Sequence, residues 1–365
     1  MASPASSRFS VLGLPLWSVI LPFLALAALT LPPATGLAAS LSALVLGGTV
    51  LAAVHHAEVV AARTGEPFGT IILAIAVTII EVSLIVSIML SDGEGARALA
   101  RDTVFAVLMI VLNGIIGLCL LIGGSRHHEQ SFTQYGVSAG LAMLATLATL
   151  TLVLPNYTSS AAGPVYSATQ LGFVGVVSLL IYGVYVFGQT LRHRTYFLPQ
   201  AGTANDTAHS YVPAGRSAIA AFVLLLVALA GVVLLAKQLS PAIKDMVTAI
   251  GAPPAFVGII IAALVLLPES LAAVRAAAAD RLQTSLNLAI GSALATIGLT
   301  IPVVAVVALL GNFDLVLGLS DKSILLLTLT LFVASLSLGT GRTTILQGAV
   351  HLVIFAVFLF TTLVP

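Results

Sequence analysis

The 365-residue sequence contains little charge. Only 7% of its residues are Asp, Glu, Lys or Arg, whereas 59% are hydrophobic, and the formal net charge is +1. A soluble domain cannot hide so much apolar surface, so this composition excludes a water-soluble fold. No run of Lys and Arg is present, and the near-neutral charge excludes the basic footprint of a nucleic-acid-binding protein.

Cysteine is almost absent, since Cys119 is the single one. One cysteine cannot form an intrachain disulfide, a thiol redox pair or a cysteine-based metal site. Cys119 lies inside an apolar run, so we interpret it as a small core residue.

Long apolar runs fill most of the chain instead. Because a hydrocarbon core of about 30 Å needs about 20 apolar residues, the runs predict an all-α polytopic membrane protein with about eleven transmembrane helices. The run at 11–31 also resembles a secretory signal, but it is long and many spans follow, so we interpret it as a retained first helix. The predicted spans are 13–33, 36–56, 69–90, 103–124, 134–154, 168–191, 217–236, 251–273, 284–310, 322–339 and 344–364.

Positive charges are distributed unequally between the predicted loops. With a cytoplasmic N-terminus, the inner segments hold nine Lys or Arg residues and the outer segments five. This bias predicts that the N-terminus is cytoplasmic and the C-terminus lies outside. The inner residues are Arg8, Arg63, Arg126, Arg192, Arg194, Arg216, Arg275, Arg281 and Arg342, and the outer ones are Arg97, Arg101, Lys237, Lys244 and Lys322.

The third and eighth spans resemble each other. Glu81 stands thirteen positions after Phe68, and Glu269 stands thirteen positions after Phe256. Since these spans lie five apart, they must cross the membrane in opposite directions, which predicts two inverted repeats. The predicted organisation is an N-terminal helix (1–35), a first five-helix repeat (36–191), a polar connecting loop (192–216) and a second, inverted five-helix repeat (217–365).

Glu81 and Glu269 are the two carboxylates well inside apolar runs. A charged side chain at that depth costs roughly 2.5–3.5 kcal/mol on insertion scales, which favours a functional role. Desolvation disfavours the charged form of each carboxyl, and an arriving cation reverses this preference, so the two side chains could bind either protons or a metal cation. The alternative is a protonated Glu hydrogen-bonded to a neighbouring helix.

Further oxygen ligands are available near these carboxylates. Thr78 precedes Glu81 by one turn, and Asn113 and Ser292 lie on the helices that follow the two acidic ones. Pro268 predicts a helix break that frees a backbone carbonyl. Such oxygen ligands suit hard cations such as Ca²⁺. The alternatives are a packing kink at Pro268 and interhelical hydrogen bonds at Asn113 and Ser292.

Histidines give weaker signals. We interpret the pairs His55-His56 and His127-His128, which lie near membrane edges, as interfacial or solvated residues. His351 and Asn287 lie in apolar helices, where interhelical hydrogen bonding or a place on a proton route are the two interpretations.

Several motifs together resemble a known family. They are His56-Ala57-Glu58, Gly65-Glu66-Pro67-Phe68-Gly69, Glu81-Val82-Ser83, Pro268-Glu269, Gly291-Ser292-Ala293-Leu294-Ala295-Thr296 and Gly341-Arg342-Thr343. From about residue 51 onward the chain resembles the ChaA-type cation/proton antiporters of the Ca²⁺:cation antiporter superfamily. The resemblance implies two five-helix repeats after one extra helix, with Glu81 and Glu269 binding the cation and exchanging protons.

The chain also departs from the calcium/proton exchangers, which have Gly-Asn-Ala before each acidic residue. Here Val77-Thr78-Ile79-Ile80 precedes Glu81 and Val265-Leu266-Leu267-Pro268 precedes Glu269, so both amide oxygens are missing. Because Ca²⁺ takes six to eight oxygens, this loss favours acceptance of Na⁺ or K⁺ as well.

These features predict a secondary transporter of the inner membrane that exchanges Ca²⁺, Na⁺ or K⁺ for protons by alternating access. Its partners would be these ions and membrane lipid, with no other cofactor. A passive cation channel is the first alternative, because a channel could also use two acidic residues. An intramembrane enzyme is the second, although no His-Glu-x-x-His motif is present, so we expect no enzymatic activity.

Overall fold

The computed structural model describes residues 10–30, 36–65, 68–91, 97–198 and 213–364. Arg8 and residues 199–212 of the predicted connecting loop lie outside the described residues. The α-helices are α1 (Leu16–Ala28), α2 (Leu37–Thr64), α3 (Phe68–Ser91), α4 (Leu99–Met109), α5 (Ile116–His127), α6 (Gln134–Ala148), α7 (Ala168–Phe187), α8 (Gly215–Ala249), α9 (Ala255–Ala278), α10 (Leu282–Ala295), α11 (Ile301–Gly311), α12 (Asp321–Leu338) and α13 (Ile345–Leu363). The strands are β1 (Ser10–Val11), β2 (Leu14–Pro15), β3 (Glu129–Ser131) and β4 (Arg342–Thr344).

The helices have the length and apolarity of membrane spans. Nine helices in the described part of the chain are long and apolar enough to cross a membrane, and shorter apolar stretches at Leu16–Ala28 and Ile75–Val86 coincide with the predicted first and third spans. Large apolar side chains also point outward, as for Leu310, which is 83% exposed, and Phe173, which is 69% exposed. Lipid solvates such side chains, so the predicted all-α polytopic membrane fold is confirmed.

Two helices extend well beyond their predicted ends. The span predicted at 217–236 is part of α8, whose 35 residues continue past Lys237 and through Pro241. The span predicted at 36–56 continues as α2 to Thr64. In both cases the first polar or charged residues mark where the apolar run ends, but the backbone hydrogen bonds of a helix continue into the polar residues beyond it.

In the described part of the chain, four helical spans contain a π-helical segment, in which each turn holds an extra residue. Ile110–Ile115 joins α4 to α5, and Thr296–Thr300 joins α10 to α11, so each of these pairs forms one continuous helix. Thr149–Val153 follows α6, and Gly188–Arg192 follows α7. We call Ile110–Ile115 the Asn113 segment below.

The helices divide into two compact units, and the smaller contains α1, α2 and most of α3 and α8. In it, Thr49 donates a hydrogen bond to the Leu21 carbonyl at 3.3 Å, and His56 Nε2 lies 2.8 Å from the Ser18 carbonyl oxygen. His56 is completely buried, so its interpretation as an interfacial or solvated residue was wrong. The hydrogen bond to α1 provides the polar partner that makes this burial tolerable.

The larger unit contains α4 to α7 and α9 to α13. Its central helix is the continuous span 99–127. In the most apolar 18-residue stretch of this helix, 78% of the residues are buried. α13 packs closely against this helix because both carry glycine at the contact. A Cβ atom on Gly348 would lie 2.5 Å from the Leu121 nitrogen, and one on Gly117 would lie 2.9 Å from the His351 Cβ.

At one end of the larger unit, four interhelical connections meet. β3 and β4 pair antiparallel, with Gln130 opposite Thr343. Gln130 also donates a hydrogen bond to Asp280 at 2.8 Å. Asn287 donates a hydrogen bond to the carbonyl of Phe197, which lies in the connection after α7, so this bond joins α10 to a loop rather than to another helix. We call this the β3–β4 end.

The opposite end of the larger unit holds the other connections. Val165 and Val316 form a β-bridge, and Arg101 donates a hydrogen bond to the Gly318 carbonyl at 3.1 Å. Tyr166 donates to the Leu150 carbonyl at 2.5 Å, and burial raises the pKa of its phenol to about 12, so it stays a neutral donor. We call this the Val165–Val316 end.

Candidate cation and proton site

Glu81 lies in the middle of α3. It stands thirteen residues after the first residue of the helix, or about 20 Å along its axis, and its side chain is only 2% exposed. Thr78, one turn earlier on the same helix, is 7% exposed. Residues three apart on a helix share a face, so the hydroxyl and the carboxylate lie on one side of α3.

Glu269 lies fourteen residues after the first residue of α9 and is half-buried. α9 runs without interruption through Pro268, which corrects the predicted helix break. Proline still provides no backbone N–H, so the carbonyl of Leu264 lacks its usual helical donor. A continuous helix can keep such a proline inside a membrane where other groups satisfy the freed carbonyl.

Asn113 is completely buried in the Asn113 segment. Its Nδ2 donates a hydrogen bond to Thr330 Oγ1 at 2.9 Å, and its Oδ1 lies 3.2 Å from His351 Nδ1. The structure therefore shows the interhelical hydrogen bonding that was one interpretation of both Asn113 and His351. Hydrogen bonding leaves a second lone pair on Oδ1, so it does not remove this oxygen as a cation ligand.

Ser292 is half-buried on α10. α9, α10 and the Asn113 segment pack against one another in the larger unit, which brings together the helices that carry Glu269, Ser292 and Asn113. Glu81 and Thr78 belong to the smaller unit. The predicted site residues thus form two groups, each assembled within its own unit.

Sequence reasoning missed two partners of Asn113, which are Thr330 and the Met109 sulfur. Thr330 is completely buried on α12, and its hydroxyl lies 3.5 Å from the Met109 sulfur. A threonine in the middle of an apolar helix was the available signal, because such a hydroxyl needs a hydrogen-bond partner in the membrane. The π-helical segments gave no signal, since the residue types in them also occur in ordinary helices.

The chemistry of these side chains suits hard cations. They offer carboxylate, amide and hydroxyl oxygens, and neither thiolate nor imidazole stands beside the two carboxylates in sequence. Among the described residues, no group of three or more His, Cys, Asp or Glu side chains could hold a metal ion. Neutral oxygens would therefore have to complete a coordination shell around the carboxylates.

Comparison with known proteins places the chain in a transporter family. The sodium/calcium exchanger protein family matches residues 35–191 and 220–364. The chain is 52% identical to y4hA of Sinorhizobium fredii, whose name describes an ionic transporter, over 96% of this chain and 97% of that protein. It is 35% identical to the sodium-potassium/proton antiporter ChaA of Escherichia coli, over 94% and 95% of the two chains.

A solved structure shares the fold. The Ca²⁺/H⁺ antiporter protein YfkE superposes with a TM-score of 0.70 at 15% identity, over 95% of this chain and 97% of that one. At that identity the likeness concerns the fold alone. Together, the family match and the identity to ChaA identify the protein as a ChaA-type member of the sodium/calcium exchanger family, within the Ca²⁺:cation antiporter superfamily of secondary cation exchangers.

Proposed function

We propose that the protein exchanges cytoplasmic Ca²⁺, Na⁺ or K⁺ for incoming protons across a bacterial-type inner membrane, by alternating access. Glu81 and Glu269 bind the cation and the protons in turn. The observation that carries this proposal is the burial of Glu81, at 2% exposure in the middle of an apolar helix, in a member of a cation exchanger family.

The exchange follows from the cost of an empty site. Moving unneutralised carboxylates through hydrocarbon is expensive, so the carrier changes conformation with either protons or a cation bound. Excluding the empty state couples the two fluxes, because each ion can cross only in exchange for the other.

The remaining ligands determine which cations bind. We assign this role to Thr78, Asn113 and Ser292, together with the Leu264 carbonyl that Pro268 deprives of its helical donor. ChaA is named a sodium-potassium/proton antiporter and YfkE a Ca²⁺/H⁺ antiporter. The absence of the Gly-Asn-Ala amides favours monovalent cations beside Ca²⁺, because fewer oxygens are available.

The repeat organisation belongs to the same proposal. The family matches two separate segments, 35–191 and 220–364, which supports a first repeat at 36–191 and a second at 217–365 joined by the loop at 192–216. An inverted relation between these halves would provide the two alternating conformations of a carrier.

The first experiment measures proton flux in sealed vesicles. A pH-sensitive dye reports the collapse of a pH gradient when Ca²⁺, Na⁺ or K⁺ is added. We expect at least one cation to collapse the gradient with the wild-type protein, and no cation to do so with Glu81→Gln or Glu269→Gln, because the amide cannot exchange a proton. Glu129→Gln is the matched control, since Glu129 is exposed in β3 and should leave exchange unchanged.

Two outcomes would contradict the proposal. Exchange retained in either Gln variant would exclude a shared role for the carboxylates. Cation conductance without coupled proton flux would favour the passive channel.

A further inference from the structure

The hydrogen bonds of Asn113 link three helices at one buried point. Asn113 lies between α4 and α5, Thr330 on α12 and His351 on α13, and each of the three side chains is completely buried. Asn113 Nδ2 lies 2.9 Å from Thr330 Oγ1, and Asn113 Oδ1 lies 3.2 Å from His351 Nδ1. We call this the Asn113–Thr330–His351 group.

The hydrogen bonds of this group are directional. Thr330 places its hydroxyl 3.5 Å from the Met109 sulfur, which only accepts, so the Thr330 oxygen accepts from the Asn113 NH₂. The Asn113 carbonyl oxygen then faces His351 and accepts from its Nδ1–H. Turning the amide around would require the other His351 tautomer, and the Thr330 hydroxyl would then donate to Asn113 and leave the Met109 sulfur without a donor, so the group favours one orientation of Asn113.

Glycine brings His351 within reach of Asn113. A Cβ atom on Gly117 would lie 2.9 Å from the His351 Cβ, so any larger residue at 117 would push α13 away from α5. His351 therefore contacts the Asn113 segment only because Gly117 stands one residue beyond the first residue of α5. Such close contacts hold the imidazole, and through it the amide, in place.

The oriented amide lies in the Asn113 segment, which packs against α9 and α10. These helices carry Glu269 and Ser292, so the segment that holds Asn113 packs against the two elements that carry other assigned ligands. One hydrogen bond from His351 leaves a lone pair on Oδ1 for a cation. π-helical segments are frequent at functional sites, where they redirect side chains.

We propose that His351 and Thr330 are positioning residues that orient the Asn113 amide oxygen toward the transported cation and thereby set the affinity for it. This inference rests on the proposed function, because it assigns Asn113 as a ligand of that same site. Neither His351 nor Thr330 contacts the cation. Both act through Asn113, so their effects must disappear when Asn113 itself is changed.

Isosteric substitutions separate orientation from packing. His351→Leu removes the donor, whereas the Asn side chain of His351→Asn has the same branching as Leu and places an NH₂ group where Nδ1 stood. Thr330→Val removes the acceptor at constant volume, whereas Thr330→Ser keeps it. The measurement is the cation KM and the maximal rate of exchange in vesicles, for the cation that wild type transports best.

We expect His351→Leu and Thr330→Val each to raise the cation KM about fivefold, as expected for the loss of one orienting hydrogen bond. The maximal rate should change little, and His351→Asn and Thr330→Ser should restore the KM to near the wild-type value. Equal KM values for His351→Leu and His351→Asn, or for Thr330→Val and Thr330→Ser, would overturn the inference.

A double-mutant cycle provides the decisive readout. In an Asn113→Leu background we expect His351→Leu to cause no further rise in KM, since the side chain through which His351 acts is gone. An additive rise would show that His351 acts independently of Asn113. Cation-dependent thermal stabilisation of the purified variants gives the same comparison without transport, so lost affinity can be separated from misfolding.

The two proposals fail in different ways. If wild type exchanges no cation for protons and is not stabilised by any of the three cations, the proposed function fails first. If wild type exchanges a cation but KM does not respond to the donor at position 351, the proposed function stands and the positioning role is wrong.

Discussion

Glu81 and Glu269 differ in their surroundings although they stand at matching positions in sequence. Glu81 is 2% exposed, whereas Glu269 is half-buried beside Pro268. Less water can reach a buried carboxyl to complete the coordination of a bound cation. The neutral protein oxygens next to Glu81 should therefore matter more for cation affinity. Thr78, three residues earlier on the same face of α3, carries such an oxygen.

Thr78→Val tests this single ligand. Val keeps the volume of Thr but has no oxygen, so we expect the cation KM to rise about tenfold while the protein stays folded. Thr78→Ser retains the hydroxyl and should keep the KM close to that of wild type. Vesicle exchange assays on the three proteins measure the effect, and a Val variant with unchanged KM would exclude Thr78 from the site.

Single residues also show where sequence reasoning stops. Glu81 and Glu269 could be singled out from the sequence because a carboxylate inside an apolar run is costly wherever the helix packs. The burial of His56 could not be predicted, because its acceptor is the Ser18 carbonyl, 38 residues earlier in the sequence. Thr330 was missed for the same reason, since its partner Asn113 lies 217 residues away.

At the scale of helices, close packing depends on a few glycines. Gly348 on α13 faces backbone atoms of α5, because a Cβ there would lie 2.5 Å from the Leu121 nitrogen and 2.9 Å from the Gly117 oxygen. Backbone cannot move aside as the end of a flexible side chain can. The contact between α5 and α13 therefore tolerates no larger residue at this position.

Gly348→Ala should separate these two helices. We expect a loss of about 1–3 kcal/mol in stability from overpacking, measured as a lower thermal unfolding temperature in detergent. Gly183→Ala on α7 is the control, because no atom lies within 4 Å of the added Cβ. That variant should be at least as stable as wild type, since Ala has a higher helix propensity than Gly. Equal losses in both variants would show that the close contact is not the cause.

The existence of the helices was predictable, and their fine structure was not. Apolar runs located every described span, because burial in lipid requires both apolarity and a helix. The ends of α2 and α8 were missed, since helices continue into polar residues beyond the hydrocarbon. The Asn113 segment contains an extra residue in one turn of the helix. Such a turn depends on how the helix packs against its neighbours, so the amino-acid composition does not reveal it.

At the scale of the whole molecule, the two ends of the larger unit carry different charge. Six of its nine Lys and Arg residues lie at the β3–β4 end and three at the Val165–Val316 end. Cytoplasmic loops are enriched in positive residues, so the β3–β4 end should face the cytoplasm. The six are Arg126, Arg192, Arg194, Arg275, Arg281 and Arg342, and the three are Arg97, Arg101 and Lys322.

Cysteine labelling tests this orientation, since the chain has one cysteine and Cys119 is completely buried. In a Cys119→Ser background, Ser131→Cys places a thiol at the β3–β4 end and Ser159→Cys places one at the opposite end, both at exposed positions. A membrane-impermeant maleimide applied to spheroplasts should label only the Ser159→Cys protein, and permeabilisation should expose both. Labelling of the Ser131→Cys protein alone would show the opposite topology, with the C-terminus in the cytoplasm. The proposed direction of exchange would then be reversed as well.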